Sequence, residues 1–573
     1  MRTGVECLID GLKKAGVQTI FGLPGGAVLD IFQKLYHAPF EFILARHEQG
    51  AAHMADGYAR ATGRVGCCLV TSGPGATNAI TGLATAYMDS IPMVCISGQV
   101  PSSMIGNDAF QEADTTGISR PVTKHNYLVR NVDDIPRIIA EAFYIAGTGR
   151  PGPVLIDFPK DLQRAKTSVP TPDDVDIRGY HPTTVGHPKQ IAKLADAINK
   201  SKKPLLYVGG GVILGNASEE LTRLAQKAKI PVTTTLMGLG AFPETDPLAL
   251  YMLGMHGSVT ANYATQECDL LISAGARFDD RVTGKLSDFA PDALIAHIDI
   301  DPTAISKNVS ADIPVVGDVK QVLTELSPLI KIIDREKWLA KLAKWKQKHP
   351  LKYDSDNSKL MPQYVIEQID KITGGDAIIV TEVGQNQMWA AHFYQYTQPR
   401  TFLSSGGLGT MGYGIPAAIG AQLGRRDKIV VDIAGDGSAQ MNFQEMVVAV
   451  EHNIPIKVVI LNNGCLGMVR QWQEMFYDKE YSATILGQTD RSKMEKIRKV
   501  ADKKYLPDFV KLAEAHGALG LRAKTRKEVV PTLEQAFESN RPVVVECIVE
   551  KEANVYPMVP AGASLTEMMH SIA

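Results

Sequence analysis

The chain has 573 residues, 45% of them hydrophobic, which is too long for a single core and sets an expectation of three or four soluble globular domains. With 60 basic and 62 acidic residues the formal net charge is -2, so the electrostatic footprint of a nucleic-acid binder and a polybasic membrane patch are both excluded, and small polar ligands are the expected partners. No apolar run approaches the roughly 18 residues of a spanning helix, and seven scattered cysteines without a C-x-x-C pair point to reduced thiols and a cytoplasmic location.

At the N-terminus, Val5, Leu8, Ile9 and Leu12 share one face of an amphipathic helix, in place of the basic-then-apolar pattern of a signal peptide. Residues 42 to 62, FILARHEQGAAHMADGYARAT, begin as a buried strand over Phe42 to Ala45. They continue with Ala51, Ala52, Ala55 and Tyr58 at helical intervals, so Glu48 falls where strand hands over to helix. The ordinary role of an acid there is to complement the helix dipole. Cys67 and Cys68 lie in the next strand-like run, ahead of SGPGATNAITGLATA at Ser72. A polar, proline-containing stretch over 166–190 then reads as a linker. Beyond it, YVGGGVILGN places three glycines after a strand, a weak dinucleotide cue because G-x-G-x-x-G is not completed. A second polar stretch, 348–362, follows a basic helix containing Trp338 and Trp345. Next, SGGLGTMGYGIPAAIGA at Ser405 repeats the glycines-then-small-helix pattern of the Ser72 segment, which suggests a duplicated domain on either side of a different one. Strand-like runs alternate with helical patterns throughout. The expected fold class is therefore α/β, with three doubly wound parallel-sheet domains over 1–165, 191–347 and 363–550 and a C-terminal tail over 551–573.

The strongest local signal is KIVVDIAGDGSAQMNFQEM followed by IKVVILNNGCLGMV. Both are apolar strands that end in polar residues, and Asp436 and Asn463 lie 27 positions apart. That is the length of a strand-helix-strand crossover, which makes the strands parallel and brings both polar ends to one sheet edge, where ligand clefts form. Gly435 and Gly437 let the backbone approach a bound group, and the following helix is expected to direct its N-terminus at an anion. Asp436 and the Asn463 amide oxygen are hard ligands of the kind Mg²⁺ takes, with phosphates and water completing its shell. An Asp-Gly pair is also a common turn dipeptide. The joint pattern at two strand ends is what favours the metal reading.

G-D-G followed after 24 residues by N-N resembles the thiamin diphosphate motif, and nearly the whole chain is similar to thiamin-dependent decarboxylases and carboligases. Among these, FGLPGGAVLD, RHEQGAAHMADGYARATG, TSGPGATNAITGLATAYMDSIP, DAFQEADTTGISRP, GRPGPVLIDFPKD, LGMHG, GARFDDRVTG and LGMVRQWQ look like the catalytic large subunits of the acetolactate synthase family. The resemblance implies a pyrimidine-binding, a central FAD-binding and a diphosphate-binding domain, with thiamin diphosphate, Mg²⁺ and a structural FAD as cofactors. It implies decarboxylation of pyruvate and condensation with a second pyruvate or with 2-ketobutyrate, early in branched-chain amino-acid synthesis. It also implies a homodimer or tetramer, with a small regulatory subunit as a further partner. The alternatives are a related pyruvate oxidase or a catabolic acetolactate-forming enzyme; Trp472 and GARFDDR argue against the catabolic type. A non-catalytic flavin-binding or assembly protein is a third class, against which intact Glu48, Asp436 and Asn463 weigh.

Motif matching then carries roles to particular residues. Glu48 would hydrogen-bond N1′ of the aminopyrimidine and relay the proton that activates thiamin, and the small helix face behind it would permit the cofactor's close approach. Asp436, Asn463 and the backbone carbonyl of Cys465 would hold Mg²⁺. Val383, Gly384, Gln385, Gly409, Gly435, Gly437, Ser438 and Met468 would touch thiamin diphosphate, and Met411, otherwise core filler, would wedge between its rings. Gly25, Gly26, Phe110, Gln111 and Lys160 would line the substrate side. Arg281 and Trp472 are tied to the second keto acid, and Met468 and Val469 join Trp472 in the pocket that prefers 2-ketobutyrate. Pro101 and Lys160 add to that pocket for sulfonylurea-type inhibitors. FAD is assigned to Arg150, Gly209, Gly210, Gly211, Thr235, Leu236, Met255, His256, Arg277, Asp299, Ile300 and Asp318. The two ends of thiamin are held by different subunits in these enzymes, so Glu48 is expected to face Asp436 of a second copy. Three features depart from the family pattern: Leu23 in place of tyrosine, Asn386 in place of histidine, and a lengthened segment whose charged stretch Thr489 to Lys504 is expected to be an exposed helix, either a surface lid or a partner-docking element.

Overall fold

The computed structural model describes residues 1–354, 358–487 and 506–570, so the helix expected over Thr489 to Lys504 lies outside the described residues. The alternating apolar runs form three six-stranded sheets in which every strand pair is parallel. The first contains β1 (Thr19–Gly22), β2 (Glu41–Leu44), β3 (Gly66–Val70), β4 (Met93–Gln99), β5 (His125–Leu128) and β6 (Pro153–Pro159) in the order β2-β1-β3-β4-β6-β5. The central sheet contains β7 (Pro204–Val208), β8 (Val232–Thr234), β9 (Ala249–Met252), β10 (Leu270–Ala274), β11 (Leu294–Asp299) and β12 (Ile313–Val316), in the order β9-β8-β7-β10-β11-β12. The third contains β13 (Ile378–Thr381), β14 (Phe402–Leu403), β15 (Val430–Gly435), β16 (Lys457–Asn462), β17 (Leu519–Ala523) and β18 (Val543–Ile548), in the order β14-β13-β15-β16-β18-β17. Counted within each sheet, the first and third share the order 2-1-3-4-6-5 while the central one runs 3-2-1-4-5-6. The likeness of the Ser72 and Ser405 segments thus extends to the whole topology of their sheets.

Successive strand residues point to opposite faces, so each buried strand feeds two cores. Cys68, Val70 and Cys95 enter one core, Cys67, Leu69 and Val94 the other. The first of these cores also takes Ile378, Val380, Val430 and Val458 from the third sheet, so the two outer domains share an interior. Four helices matter for the site: α1 (Glu48–Thr62), α2 (Gln385–Phe393), α3 (Gly414–Gly424) and α4 (Gly467–Phe476). α1 and α3 meet inside the shared core at backbone distance. A Cβ on Gly57 would lie 2.1 Å from the Ala417 carbonyl oxygen, and one on Gly420 would lie 1.8 Å from that of Met54. The small face of α1 is therefore occupied by a neighbouring helix of the same chain, which corrects its reading as room for a cofactor. A second correction concerns β2. It is an edge strand, with Leu44 37% exposed, rather than a fully buried one.

The N-terminal helix Gly4–Lys14 starts with a Thr3/Glu6 capping box and buries Val5, Leu8, Ile9 and Leu12. All seven cysteines are free and buried. Among the described residues no helix is long and apolar enough to cross a membrane.

Candidate active site

The carboxyl edge of the third sheet carries a small pocket. β13 delivers Glu382, Val383 and Gly384 to the start of α2, β15 ends at Gly435 and delivers Asp436, and β16 delivers Asn463. The strand order reverses between β13 and β15, the position at which open α/β sheets form a cleft. Val383, Gly384, Gln385, Met411, Gly435, Asp436, Gly437, Ser438, Asn463 and Cys465 all line this pocket. The helix after Asp436 is a single turn, Asp436–Ala439, shorter than the anion-directing helix expected there. The nine-residue α2 supplies such an end instead. Its cap is Gly384, at φ 134°, and no side chain caps its first N–H groups, a setting that favours an anion.

Asp436 is 2% exposed, and its Oδ2 accepts the Gly464 N–H at 2.8 Å. Burial pushes its carboxyl up to about 7, against the pull of backbone N–H groups from Gly464, Asp436 and Gly437. A nearby cation would hold such a group ionised. Asn463 Oδ1 accepts the Cys465 N–H at 3.2 Å, and burial pushes the Cys465 thiol up to about 12, so it is neutral at physiological pH. No cluster of three or more His, Cys, Asp or Glu residues that could hold a metal exists among the described residues. The donor set is one carboxylate plus an amide, suited to a hard cation whose remaining ligands come from phosphate and water. Asn386 lines the same pocket, but its amide donates to the Ile433 carbonyl at 2.8 Å and is taken up by the strand backbone.

A second cavity, of about 810 Å³, opens at the carboxyl ends of all six central strands. Gly209, Gly210 and Gly211 follow β7, Thr235 and Leu236 follow β8, and Met255 and His256 lie beyond β9. Arg277 follows β10, Asp299 and Ile300 stand at the end of β11, and Asp318 follows β12. All of these line the cavity, together with Arg150 from the first domain. Its volume falls in the upper part of the roughly 300–1,000 Å³ range of small-molecule and cofactor sites. Two glycines of its wall pack backbone to backbone: a Cβ on Gly209 would lie 2.2 Å from the Gly275 carbonyl oxygen, and one on Gly211 would lie 2.6 Å from Gly275 Cα. The cavity continues past Arg281, Gly409, Met468 and Trp472 to Val383 and Gly384, which also wall the small pocket, so the two spaces adjoin. The Arg281 guanidinium lies 5.8 Å from the Trp472 ring centre. On α4, Val469 is 48% exposed and lines neither space.

A third group gathers at the carboxyl edge of the first sheet. Glu48, 7% exposed, accepts the Asn78 amide on Oε2 at 3.0 Å. A Cβ on Gly75 would touch both Glu48 Oε1, at 3.4 Å, and Thr71 Cγ2, at 2.8 Å. A Cβ on Gly25 would lie 2.4 Å from Thr71 Oγ1, and Lys160 Nζ donates to the Gly26 carbonyl at 2.8 Å. Gln111, at φ 61°, sets its carbonyl oxygen where a Gly73 Cβ would be 2.7 Å away, and Phe110 beside it is 89% exposed. None of Glu48, Gly25, Gly26, Phe110, Gln111 and Lys160 lines either of these two spaces.

Three residues near these groups were not singled out by sequence reasoning. Asn78 holds Glu48 directly. Glu382, fully buried, accepts the Gly412 and Gly414 N–H groups at 2.7 and 2.9 Å and so fixes the turn that follows Met411. Asp89 accepts the Gly406 and Gly407 N–H groups at 3.0 and 2.8 Å while paired with Arg60 at 2.9 Å. An acid immediately after an apolar strand was a signal available for Glu382; Asn78 and Asp89 carried none.

Two outer sheets of one topology around a central sheet of another, with an acid-and-amide pocket at a strand-order reversal, define a three-domain thiamin diphosphate enzyme. Family models agree: those for the N-terminal TPP binding, central and C-terminal TPP binding domains of thiamine pyrophosphate enzymes match residues 2–118, 191–326 and 382–547. The chain is 50% identical over 576 residues to an acetolactate synthase of Mycobacterium bovis, covering 99% of this chain and 91% of that one. It is 48% identical over 579 residues to the acetolactate synthase large subunit of Haemophilus influenzae, covering 99% and 98%. With the acetolactate synthase isozyme 3 large subunit of Escherichia coli K12 the identity is 46% over 584 residues, covering 99% and 98%. The chain belongs to the acetolactate synthase large-subunit family.

Proposed function

We propose that the chain decarboxylates pyruvate and joins the remaining two-carbon unit to a second pyruvate, giving 2-acetolactate, or to 2-ketobutyrate, giving 2-aceto-2-hydroxybutyrate. The observation that carries this reading is the meeting of Asp436 and Asn463 at neighbouring strand ends, beside a cavity bounded by Arg281 and Trp472. Bound thiamin diphosphate supplies the electron sink for the decarboxylation. Asp436, Asn463 and the Cys465 carbonyl would hold Mg²⁺, a fit supported by a buried carboxylate whose partners are backbone N–H groups. Gly384, Gln385, Gly437 and Ser438 would bind diphosphate oxygens, and Val383, Gly409, Gly435, Met411 and Met468 would seat the rest of the cofactor. Glu48 would hold a proton toward pyrimidine N1′, with burial keeping water from it.

FAD would occupy the large cavity, whose volume and lining at six strand ends suit a large cofactor, and the close packing of Gly209 and Gly211 on the Gly275 backbone would hold that part of its wall in place. The reaction involves no net oxidation, so this flavin is structural. Arg281 would grip the carboxylate of the second keto acid through its two-pronged guanidinium, and Trp472 would bound the space that favours 2-ketobutyrate. Gly25, Gly26, Phe110, Gln111 and Lys160 would serve the substrate side. Glu48 and these residues line neither of the two spaces described above, and they would face Asp436 of a second copy, with a homodimer as the active unit. A small regulatory subunit is a further partner, and seven free, buried cysteines favour the cytoplasm.

The test is to incubate purified protein with pyruvate, Mg²⁺ and thiamin diphosphate, then add 2-ketobutyrate and identify the products. Acetolactate alone, then both acetohydroxy acids, is the expected result. Absence of both products overturns the reading, and oxygen consumption with oxidative release of the acetyl unit would establish the pyruvate oxidase alternative.

A further inference from the structure

Glu48 begins α1 directly after the turn Arg46-His47, and a residue far along the chain holds the backbone of that turn. Glu445 closes the short helical turn Phe443–Glu445, nine residues beyond Asp436. It is fully buried, and both carboxylate oxygens accept the Arg46 N–H, Oε1 at 3.2 Å and Oε2 at 3.1 Å. The His47 N–H also donates to it. The hydrogen bonds come from backbone alone, because the Arg46 guanidinium is bonded to Glu451 at 2.6 Å and to the Leu44 carbonyl at 2.8 Å and adds only its charge. Gly50, in the first turn of α1, stands so close that a Cβ there would lie 2.5 Å from Glu445 Oε1. On the other side, Asn78 fixes the Glu48 carboxyl itself at 3.0 Å.

We propose that Glu445 is a positioning residue for Glu48: by capturing the N–H groups of the Arg46-His47 turn, it sets where α1 begins and hence where the Glu48 carboxyl is presented. The inference rests on the reading of Glu48 as the group that addresses pyrimidine N1′. An acid near a helix start also stabilises the helix through its dipole, so stability alone does not distinguish positioning from plain structural support. Loss of position is read where Glu48 acts, in the ease with which the cofactor's C2 proton leaves. Glutamine at 445 keeps the length but turns an NH₂ group toward backbone donors, whereas aspartate keeps two accepting oxygens on a shorter arm.

The full-length holoenzymes of wild type, Glu445→Gln, Glu445→Asp and Glu48→Gln, loaded with thiamin diphosphate and Mg²⁺, are compared without substrate. Two quantities are measured: the affinity for thiamin diphosphate, and the rate of deuterium exchange at its C2, read by NMR after acid quenching. The expected result is exchange slowed by about tenfold or more in Glu445→Gln, as for other small misplacements of a catalytic group, with unchanged affinity and partial recovery in Glu445→Asp. Wild-type exchange in Glu445→Gln beside slow exchange in Glu48→Gln overturns the role of Glu445 alone. A fall in exchange matched by an equal fall in affinity also overturns it, as general loss of structure. Normal exchange in Glu48→Gln overturns the reading of Glu48 and this inference with it. Should Glu445→Gln fail to fold, Gly50→Ala presses on the same carboxylate from α1, and normal exchange there rejects the proposal.

Discussion

The contact of α1 with α3 offers a sharp test of how the fold places Glu48. Gly420→Ala puts a methyl group 1.8 Å from the Met54 carbonyl oxygen, 2.6 Å from its carbon and 2.9 Å from its Cα, whereas ordinary contact begins at 3.4 Å. All three atoms are backbone, so no side chain can swing aside and the two helices must separate. Overpacking of this kind costs about 1–3 kcal/mol, and more where backbone must shift. The helix propensity of alanine returns no more than about 1 kcal/mol. A net loss near 2 kcal/mol lowers the melting temperature by about 4–8 °C for a cooperative unit of 150–250 residues. Gly147→Ala is the control for melting, since its Cβ would meet only Val65 Cγ2, at 3.5 Å. Thermal unfolding followed by circular dichroism, with acetolactate formation measured on the folded fraction, gives both readouts. Because α1 starts at Glu48, activity should fall further than the folded fraction. Wild-type melting and wild-type turnover in Gly420→Ala would refute the helix contact and the placement argument together.

Trp472→Leu removes the ring beside Arg281 and should keep acetolactate formation while losing preference for 2-ketobutyrate; competition between the two acceptors, with products quantified, checks it, and an unchanged product ratio contradicts it. Asp432 is fully buried with neither oxygen hydrogen-bonded, and burial together with Glu382 pushes its carboxyl well above the ordinary carboxylate range, while burial pushes Glu382 up to about 7. Protons held more tightly in the folded state give stability that is full below about pH 4 and is lost as pH rises toward 7 and beyond. Asp432→Asn removes one of these titrating groups and should flatten the fall in melting temperature between pH 5 and 8, whereas parallel curves for variant and wild type would contradict the assignment.

The parts of the site legible in the sequence are those that lie within one strand-helix-strand unit. Asp436 and Asn463 announce themselves because two apolar strands end in polar residues at crossover spacing, and the pocket between β13, β15 and β16 brings them together. The large cavity was legible only through resemblance, since Gly209, Gly210 and Gly211 do not complete a dinucleotide motif, and the backbone that Gly209 and Gly211 pack against is Gly275, more than sixty positions away. The small residues of α1 were visible but misassigned. Alternation and helical spacing show that a face is small, and only the packed structure shows that α3 covers it. Glu382, Asp89 and Glu445 work by accepting backbone N–H groups from distant segments, and no local pattern records which backbone a carboxylate will meet.

The central claim is that one acetolactate-forming site takes Glu48 from one chain and Asp436 from another. Glu48→Gln and Asp436→Ala proteins, each inactive alone, are mixed under conditions that exchange subunits, and acetolactate formation from pyruvate is measured. In a twofold-symmetric dimer every hybrid holds one intact site, so activity should return to about a quarter of wild type on random mixing. No recovery, with hybrid dimers demonstrated by mass, would place both residues in a single chain's site and contradict the account.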